Sequence, residues 1–145
     1  MAAAPLLDLP TLQAMLTDLV APWVTHLNLR VLQASPGEVM LALPIVPLQV
    51  HVGGVLCGQA LMAAADTAMI LAISSQLGGF QPMTTVQLQT SFLRPITGSR
   101  TEPAGEAKVI GRVLRLGKTL VFGEVEVLEP SGKLAAHATT TYALL

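Results

Sequence analysis

A single acid lies in the longest apolar stretch of the sequence. Asp66 is the one charged residue from Ala60 to Ile73, a stretch whose Ala, Leu and Met residues favour a helix. A carboxylate among apolar groups costs free energy unless it is hydrogen-bonded, paired or used in a reaction. Asp66 is therefore the first candidate for chemistry, with a structural acid bonded to a hydroxyl such as that of Thr67 as the alternative.

The segment before this helix is rich in glycine. Gly53, Gly54 and Gly58 lie between His51 and the first turn of the helix. The N–H groups of a first turn lack intrahelical acceptors and carry partial positive charge, so they can polarise a carbonyl oxygen. Cys57 lies at the same helix start, where a thiolate can be a nucleophile. The sequence places no partner base beside it, and free cysteines are usually small buried apolar residues.

The composition indicates how many domains the chain forms and argues against nucleic acid as a partner. The chain has 145 residues, of which 52% are hydrophobic and 12% are charged. This length predicts one domain, 1–145, which includes an N-terminal helical segment, 1–23, and the high apolar share indicates apolar surface buried between subunits. A net charge of −1 and an aromatic content of 3% argue against a nucleic-acid-binding surface.

Three features of the sequence bear on the compartment. The single cysteine excludes an intrachain disulfide and fits a reducing environment. The first residues, Met1 to Pro5, lack the basic start and apolar core of a signal peptide. The apolar run from Ala60 to Ile73 is shorter than the roughly 20 residues that a membrane span needs. We therefore expect a cytoplasmic protein without a membrane partner.

The patterning predicts both helices and strands. Apolar residues at helical spacing after Pro10 predict a short helix over 11–20, and Gly78-Gly79 is predicted to end a long buried helix over 58–77. Alternating apolar and polar residues predict strands over 26–32, 39–43, 84–93, 105–115, 119–128 and 133–144. Ser35-Pro36-Gly37 predicts a hairpin turn between the first two strands. The last four strands are predicted to form an antiparallel meander.

These elements together predict an α+β fold. An antiparallel sheet of five or six strands can bury the long apolar helix by wrapping around it. The outer face of such a sheet and its unpaired edge strands favour pairing between subunits. The predicted architecture is therefore a long central helix wrapped by one antiparallel sheet.

The motifs around the long helix resemble those of the hotdog-fold acyl-CoA thioesterases, in particular the phenylacetate-degradation branch. Cys57-Gly58-Gln59 stands where this branch has His-Gly-Gly, and Ala64-Ala65-Asp66 stands where it has Leu-Ala-Asp, at the same spacing. Gly54 matches the glycine that precedes the first motif. The resemblance runs from about residue 27 to the C-terminus, with further matches at Ser91-Phe92-Leu93-Arg94-Pro95, Gly117-Lys118-Thr119 and 132–139.

The resemblance implies hydrolysis of an acyl-CoA thioester to a free acid and CoA. Asp66 would be the general base or the nucleophile, and the N–H of Gly58 would stabilise the oxyanion. Thr85, from the neighbouring subunit, would assist the acid or orient water. Because side chains alternate along a strand, one of Thr84 and Thr85 must face the pocket, and we expect that it is Thr85.

Other residues would contact the substrate. Gln59 could donate a hydrogen bond to the thioester carbonyl or to the acid, and His51 could polarise water. Cys57 and Gly54 would line the substrate site. Positive charge and bidentate guanidinium groups suit the phosphates of CoA, so we expect phosphate contacts from a basic set: Arg94, Arg112, Arg115 and Lys118.

We expect no cofactor besides the coenzyme A of the substrate, and the sequence shows no cluster of metal ligands. The resemblance implies a homodimer or homotetramer with active sites between subunits. His51, Cys57 and Gln59 replace the family's Asn, His and second Gly. These replacements leave two alternatives open: a non-catalytic acyl-CoA-binding protein, or another CoA-ester enzyme, such as a dehydratase, on the same fold.

Overall fold

The computed structural model describes residues 6–145. Residues 1–5, which belong to the predicted N-terminal segment 1–23, lie outside the described residues. The described residues form two α-helices, α1 (Leu9–Asp18) and α2 (Gly58–Leu77), and short 3-10 helices at Pro22–Leu27 and Pro47–Gln49. The strands are β1 (Arg30–Ser35), β2 (Glu38–Pro44), β3 (Met83–Phe92), β4 (Glu106–Leu116), β5 (Leu120–Leu128) and β6 (Leu134–Leu144).

The strands form one antiparallel sheet in the order β1-β2-β4-β5-β6-β3. Inward-facing residues of the sheet pack against α2, so that the helix lies in the concavity of the curved sheet. This confirms the predicted α+β architecture, with six strands wrapped around the long helix. The strands that pack most closely against α2 are β2, β4 and β5.

Helix α2 has the bounds that the sequence predicts. Gly78 adopts a left-handed conformation (φ +79°) and ends the helix, as glycine does without strain. The helix is long and apolar enough to cross a membrane, but most of it is buried by the sheet, as in the core helix of a globular domain. Gly111 permits this close packing, because a Cβ there would lie 3.1 Å from the carbonyl oxygen of Ala68.

Two sequence predictions differ from the structure at the N-terminal end. Helix α1 begins at Leu9 rather than at residue 11, because the Asp8 carboxylate caps it by accepting the Thr11 N–H at 2.8 Å. The strand predicted over 26–32 begins only at Arg30. Pro22 starts a 3-10 helix instead, and Asn28 ends it in a left-handed conformation (φ 54°). The first two residues of the predicted strand, His26 and Leu27, belong to this short helix, and the alternation continues through Asn28 and Leu29 into β1.

The predicted four-strand meander is wrong in its first strand. Strands β4, β5 and β6 do form a meander, but β3 pairs with β6 at the far side of the sheet and not with β4. The connection from Leu93 to Gly105 therefore passes two strands, β6 and β5, before the chain enters β4. Alternation within a strand shows which face is buried but does not show which strand is its neighbour.

The position of β3 makes it an edge strand of the sheet. A β-bulge interrupts its pairing with β6 between Thr85 and Gln87, at Val86. Large apolar side chains at the bulge and at the end of the strand, Val86 and Phe92, are more than half exposed. Long edge strands with exposed apolar side chains favour pairing with another strand.

Candidate active site

The Asp66 carboxylate lies where α2 faces strands β3 and β6. Its Oδ1 accepts a hydrogen bond from the Thr85 hydroxyl at 2.8 Å and a second, short one from the Tyr142 hydroxyl. Its Oδ2 accepts no hydrogen bond from the described residues. Thr67, the alternative partner that the sequence suggests, donates to the carbonyl oxygen of Ala63 at 2.8 Å. The acid is thus held by two hydroxyls of the sheet, with one oxygen left free.

The register of β3 and β6 explains why both hydroxyls reach one atom. Thr85 and Tyr142 are directly opposite each other, and the next pair is Gln87 with Thr141 because Val86 is bulged. A bulge re-aims the neighbouring side chains of its strand. Thr85, and not Thr84, bonds the acid. The contact forms within one chain, whereas the resemblance implies that Thr85 comes from a neighbouring subunit.

Tyr142 also belongs to this site, although it is not among the residues predicted from the sequence. Its side chain is fully buried, and burial, followed by the negative charge of Asp66, raises the pKa of its phenol far above the usual value. Tyr142 is therefore a neutral hydrogen-bond donor at any working pH. A signal for it exists in the sequence, since it is the one tyrosine of the chain and lies on an alternating strand.

A second part of the site is the N-terminal end of α2. A cavity of about 350 Å³ opens there, and its lining includes Gly58, His51, Arg94 and Phe92. The first backbone hydrogen bonds of the helix run from Ala60 and Leu61 to the Cys57 carbonyl oxygen. Within residues 6–145 the N–H groups of Gly58 and Gln59 donate to no acceptor, so they are available to a ligand.

The Phe92 ring lies directly against the Cα of Gly58. A Cβ at position 58 would be 3.2 Å from Phe92 Cζ, which is closer than ordinary side-chain contacts. The ring is about half exposed, so it is not fixed by the core. Glycine at this position therefore keeps both the helix terminus and the aromatic ring close to the cavity.

His51 and Gly54 shape the turn before the helix. The Nδ1 of His51 accepts the Gly53 N–H at 2.9 Å, so a neutral ring carries its proton on Nε2. The His51 carbonyl oxygen accepts the Gly54 N–H, and Gly54 adopts a left-handed conformation (φ +75°). The imidazole is exposed at the rim of the cavity with Nε2 unpaired among the described residues.

Cys57 and Gln59 take different environments at the helix start. Cys57 is half-buried, packs against the core and donates its N–H to the Gln49 carbonyl oxygen at 2.8 Å. The Gln59 side chain is exposed and makes no hydrogen bond within residues 6–145. Gln59 is therefore free to contact a ligand, whereas the surroundings of Cys57 are those of a packing residue.

The structure separates the predicted phosphate-binding residues. Arg94 lines the cavity at the helix start, and Arg115 and Lys118 are exposed near the β4–β5 turn. Arg112 lies on the outer face of the sheet, because its neighbour Gly111 faces α2 and side chains alternate. Its guanidinium pairs there with two carboxylates, Glu38 and Glu126. The geometry gives no support to a phosphate contact for Arg112, since its Nε and Nη1 groups pair with carboxylates that would repel a phosphate.

The two parts of the site are far apart within one chain. Gly58 and Asp66 are eight residues apart on a continuous helix, which corresponds to about 12 Å along its axis. Asp66 does not line the cavity that contains Gly58. No group of three or more His, Cys, Asp or Glu side chains in the described part of the chain could hold a metal ion.

Residues 53–136, which include Gly58, Asp66 and Thr85, match the sequence model of the thioesterase superfamily. The chain belongs to this superfamily. A Thermoplasma volcanium protein named "Putative esterase TV1331" is 30% identical over 129 residues, covering 80% of this chain and 86% of that protein. Membership and this relative identify the chain as an enzyme of thioester or ester hydrolysis. The match ends before Tyr142.

Solved structures of the superfamily share the fold. The thioesterase HI1161 of Haemophilus influenzae superposes with a TM-score of 0.83 at 19% identity, covering 100% of this chain and 95% of that one. The Escherichia coli PaaI protein, from the phenylacetic acid degradation operon, superposes with a TM-score of 0.76 at 19% identity, covering 92% and 91%. At these identities the likeness confirms the hotdog fold alone.

Proposed function

We propose that this protein hydrolyses acyl-CoA thioesters at a site formed between two subunits, as a thioesterase related to the phenylacetate-degradation branch. The observation that carries the proposal is the Asp66 carboxylate, which is half-buried and hydrogen-bonded on Oδ1 with Oδ2 left free. An acid held in one orientation is suited to a single bond-making or proton-transfer step. Asp66 is therefore the residue that would act on the thioester.

Two roles for Asp66 fit this geometry. As a general base, it takes a proton from the water whose oxygen attacks the carbonyl carbon; the C–S bond then breaks, and the CoA sulfur leaves and takes up a proton. As a nucleophile, Oδ2 attacks the carbonyl carbon and expels the CoA thiolate, and water then hydrolyses the mixed anhydride. In both roles negative charge develops on the carbonyl oxygen, which needs hydrogen-bond donors.

We assign this role to the free N–H groups at the start of α2, and their distance from Asp66 supports a site completed by a second subunit. About 12 Å along the helix separates Gly58 from Asp66, so one carbonyl group cannot contact both in a single chain. Pairing of two β3 edges about a two-fold axis continues the sheet and runs the two α2 helices antiparallel. This arrangement brings the Gly58 end of one helix toward Asp66 of the other.

The remaining substrate contacts follow from the cavity at the helix start. Arg94 offers a positive charge at its rim, and the exposed Arg115 and Lys118 offer two more for the phosphates of CoA. Gln59, exposed in the first turn of α2, and His51, at the rim of the cavity, would donate hydrogen bonds to the carbonyl group. We assign the protein to the cytoplasm as a homodimer or homotetramer, with no cofactor besides the CoA moiety of the substrate.

Thiol release from a panel of acyl-CoAs tests this proposal. The panel contains short, medium, long-chain and aryl acyl groups, and thiol release by the wild type is compared with release by Asp66→Ala. Asp18→Ala, which removes an exposed acid from α1, is the matched control. We expect Asp66→Ala to lose release while it still binds acyl-CoA. A folded wild type that binds acyl-CoA but releases no thiol from any member would instead identify a non-catalytic binder.

A further inference from the structure

Tyr142 makes a polar contact that packing alone does not require. The side chain is fully buried on the inner face of β6, where a phenylalanine would occupy almost the same volume. Its hydroxyl donates to Asp66 Oδ1 and lies 3.1 Å from the Asp66 carbonyl oxygen. A buried hydroxyl without a partner costs free energy, and this hydroxyl is satisfied by two oxygens of Asp66.

An aspartate cannot fix its own orientation. The terminal torsion of the side chain, between an sp³ and an sp² carbon, has a broad energy minimum, so the carboxylate plane turns easily. Two hydroxyl donors that converge on one oxygen remove this freedom. Both donors at Asp66 bond Oδ1, and none of the described residues bonds Oδ2.

The two donors differ in rigidity. Thr85 is exposed on the edge strand β3, beside the bulge at Val86. Tyr142 is enclosed by the core and pairs across the sheet with Val121 of β5 on one side and Thr85 of β3 on the other. Tyr142 therefore supplies the fixed contact beneath the carboxylate, and Thr85 supplies a second contact on the solvent side.

We propose that Tyr142 is a positioning residue of the hydrolase, which holds Oδ1 of Asp66 and thereby makes Oδ2 the oxygen that reacts. This inference rests on the proposed function, because it assumes that Asp66 acts on the thioester. Tyr142 itself touches no substrate. Its hydroxyl acts by keeping the free oxygen of the acid aimed at one place, and small misplacements of a reacting group lower the rate strongly.

The kinetic test is Tyr142→Phe, which removes only the hydroxyl. We expect kcat to fall about 10- to 100-fold, as for loss of a hydrogen bond to a charged group, with KM changed less than about twofold. The matched control is Thr139→Val, which removes an outward-facing hydroxyl from the same strand. Unchanged kcat in Tyr142→Phe would overturn the inference. A matched loss of kcat and thermal stability, with KM raised, would assign Tyr142 a structural role only and would also overturn it.

A spectroscopic test separates this inference from the proposed function. Because the chain has one tyrosine, labelling tyrosine with ¹³C at Cζ gives a single resonance in the folded protein. We expect Asp66→Ala to shift this resonance and Asp18→Ala to leave it in place. An unshifted resonance would overturn the contact itself. Absence of thiol release by the wild type, with the resonance shifted in Asp66→Ala, would instead reject the proposed hydrolysis.

Discussion

Thr85 and Tyr142 stand directly opposite each other on neighbouring strands, and their hydroxyls meet at one oxygen of Asp66. Strand pairing brings them together although they are far apart in the sequence, since 56 residues of chain lie between the two positions. Their convergence leaves the second carboxylate oxygen free. The chemistry proposed for this thioesterase-superfamily member depends on that asymmetry.

Removal of the Thr85 hydroxyl should slow hydrolysis without harming the fold. We expect Thr85→Val to lower kcat about 3- to 30-fold, because one of two hydrogen bonds to Asp66 is lost, and Thr85→Ser to restore most of it. Steady-state kinetics on the best acyl-CoA checks this. Thr84→Val is the control, since Thr84 does not bond the acid. Equal loss in both valine variants would show that the effect belongs to the strand and not to the hydroxyl.

An added methyl group should lower activity at Gly58 and stability at Gly123. At Gly58 the nearest atoms belong to the half-exposed Phe92 ring, whereas at Gly123 they include Met69 and the Arg112 carbonyl oxygen at 2.8 Å. We expect Gly58→Ala to lose activity at least about tenfold with little change in stability. Gly123→Ala should lower the free energy of unfolding by about 1–3 kcal/mol. Urea unfolding and thiol release, measured on both variants, check these two expectations. A Gly58→Ala variant that loses stability but keeps its activity would contradict the assignment of Gly58 to the site.

Mixing two inactive variants should restore activity if the site lies between subunits. A heterodimer of Asp66→Ala with Gly58→Ala contains one site with both lesions and one site with neither. After joint refolding, random pairing gives about a quarter of the wild-type activity. Thiol release before and after refolding checks this, with each variant refolded alone as its control. No recovery from a mixture shown to contain heterodimers would place Gly58 and Asp66 in independent roles.

Stability should fall at alkaline pH because of Tyr142. The folded protein holds the phenol neutral by burial, with a pKa raised far above 10.0, while the unfolded chain ionises near that value. The contribution of the neutral Tyr142 phenol to the free energy of unfolding is therefore constant below about pH 10 and is lost as pH rises above that value. Thermal unfolding from pH 8 to 11 should show a steeper fall for the wild type than for Tyr142→Phe. Parallel curves would contradict the burial of a neutral phenol beside Asp66.

Substitutions of Arg94 and Arg112 should have different effects on KM. We expect Arg94→Gln to raise KM for acyl-CoA about 3- to 10-fold, because the residue lines the cavity at the helix start. Arg112→Gln should leave KM unchanged, because its guanidinium faces Glu38 and Glu126 on the outer face of the sheet. KM measured at low and at high salt checks both variants. A raised KM in Arg112→Gln would show that Arg112 does contact a phosphate of CoA.

Much of the fold was predictable because its signals are local. The apolar run with Gly78 behind it defines α2 residue by residue, and alternation gives most strands to within one or two positions. The partner of β3 was not predictable, because alternation identifies a buried face and contains no information about the neighbouring strand. The end of the short helix before β1 was assigned to the strand because Leu27 continues the alternation of Leu29 and Val31.

The sequence by itself determined the chemistry available to this protein: one acid in an apolar helix, and a glycine at the start of that helix. These are consequences of residue type and local spacing. Only the tertiary structure decided that Thr85 and Tyr142 hold the acid, that Arg112 is occupied by Glu38 and Glu126, and that Gly58 lies beyond the reach of Asp66 in one chain. The reason is physical, since strand register and the faces of a sheet are set by pairings between residues far apart in the chain.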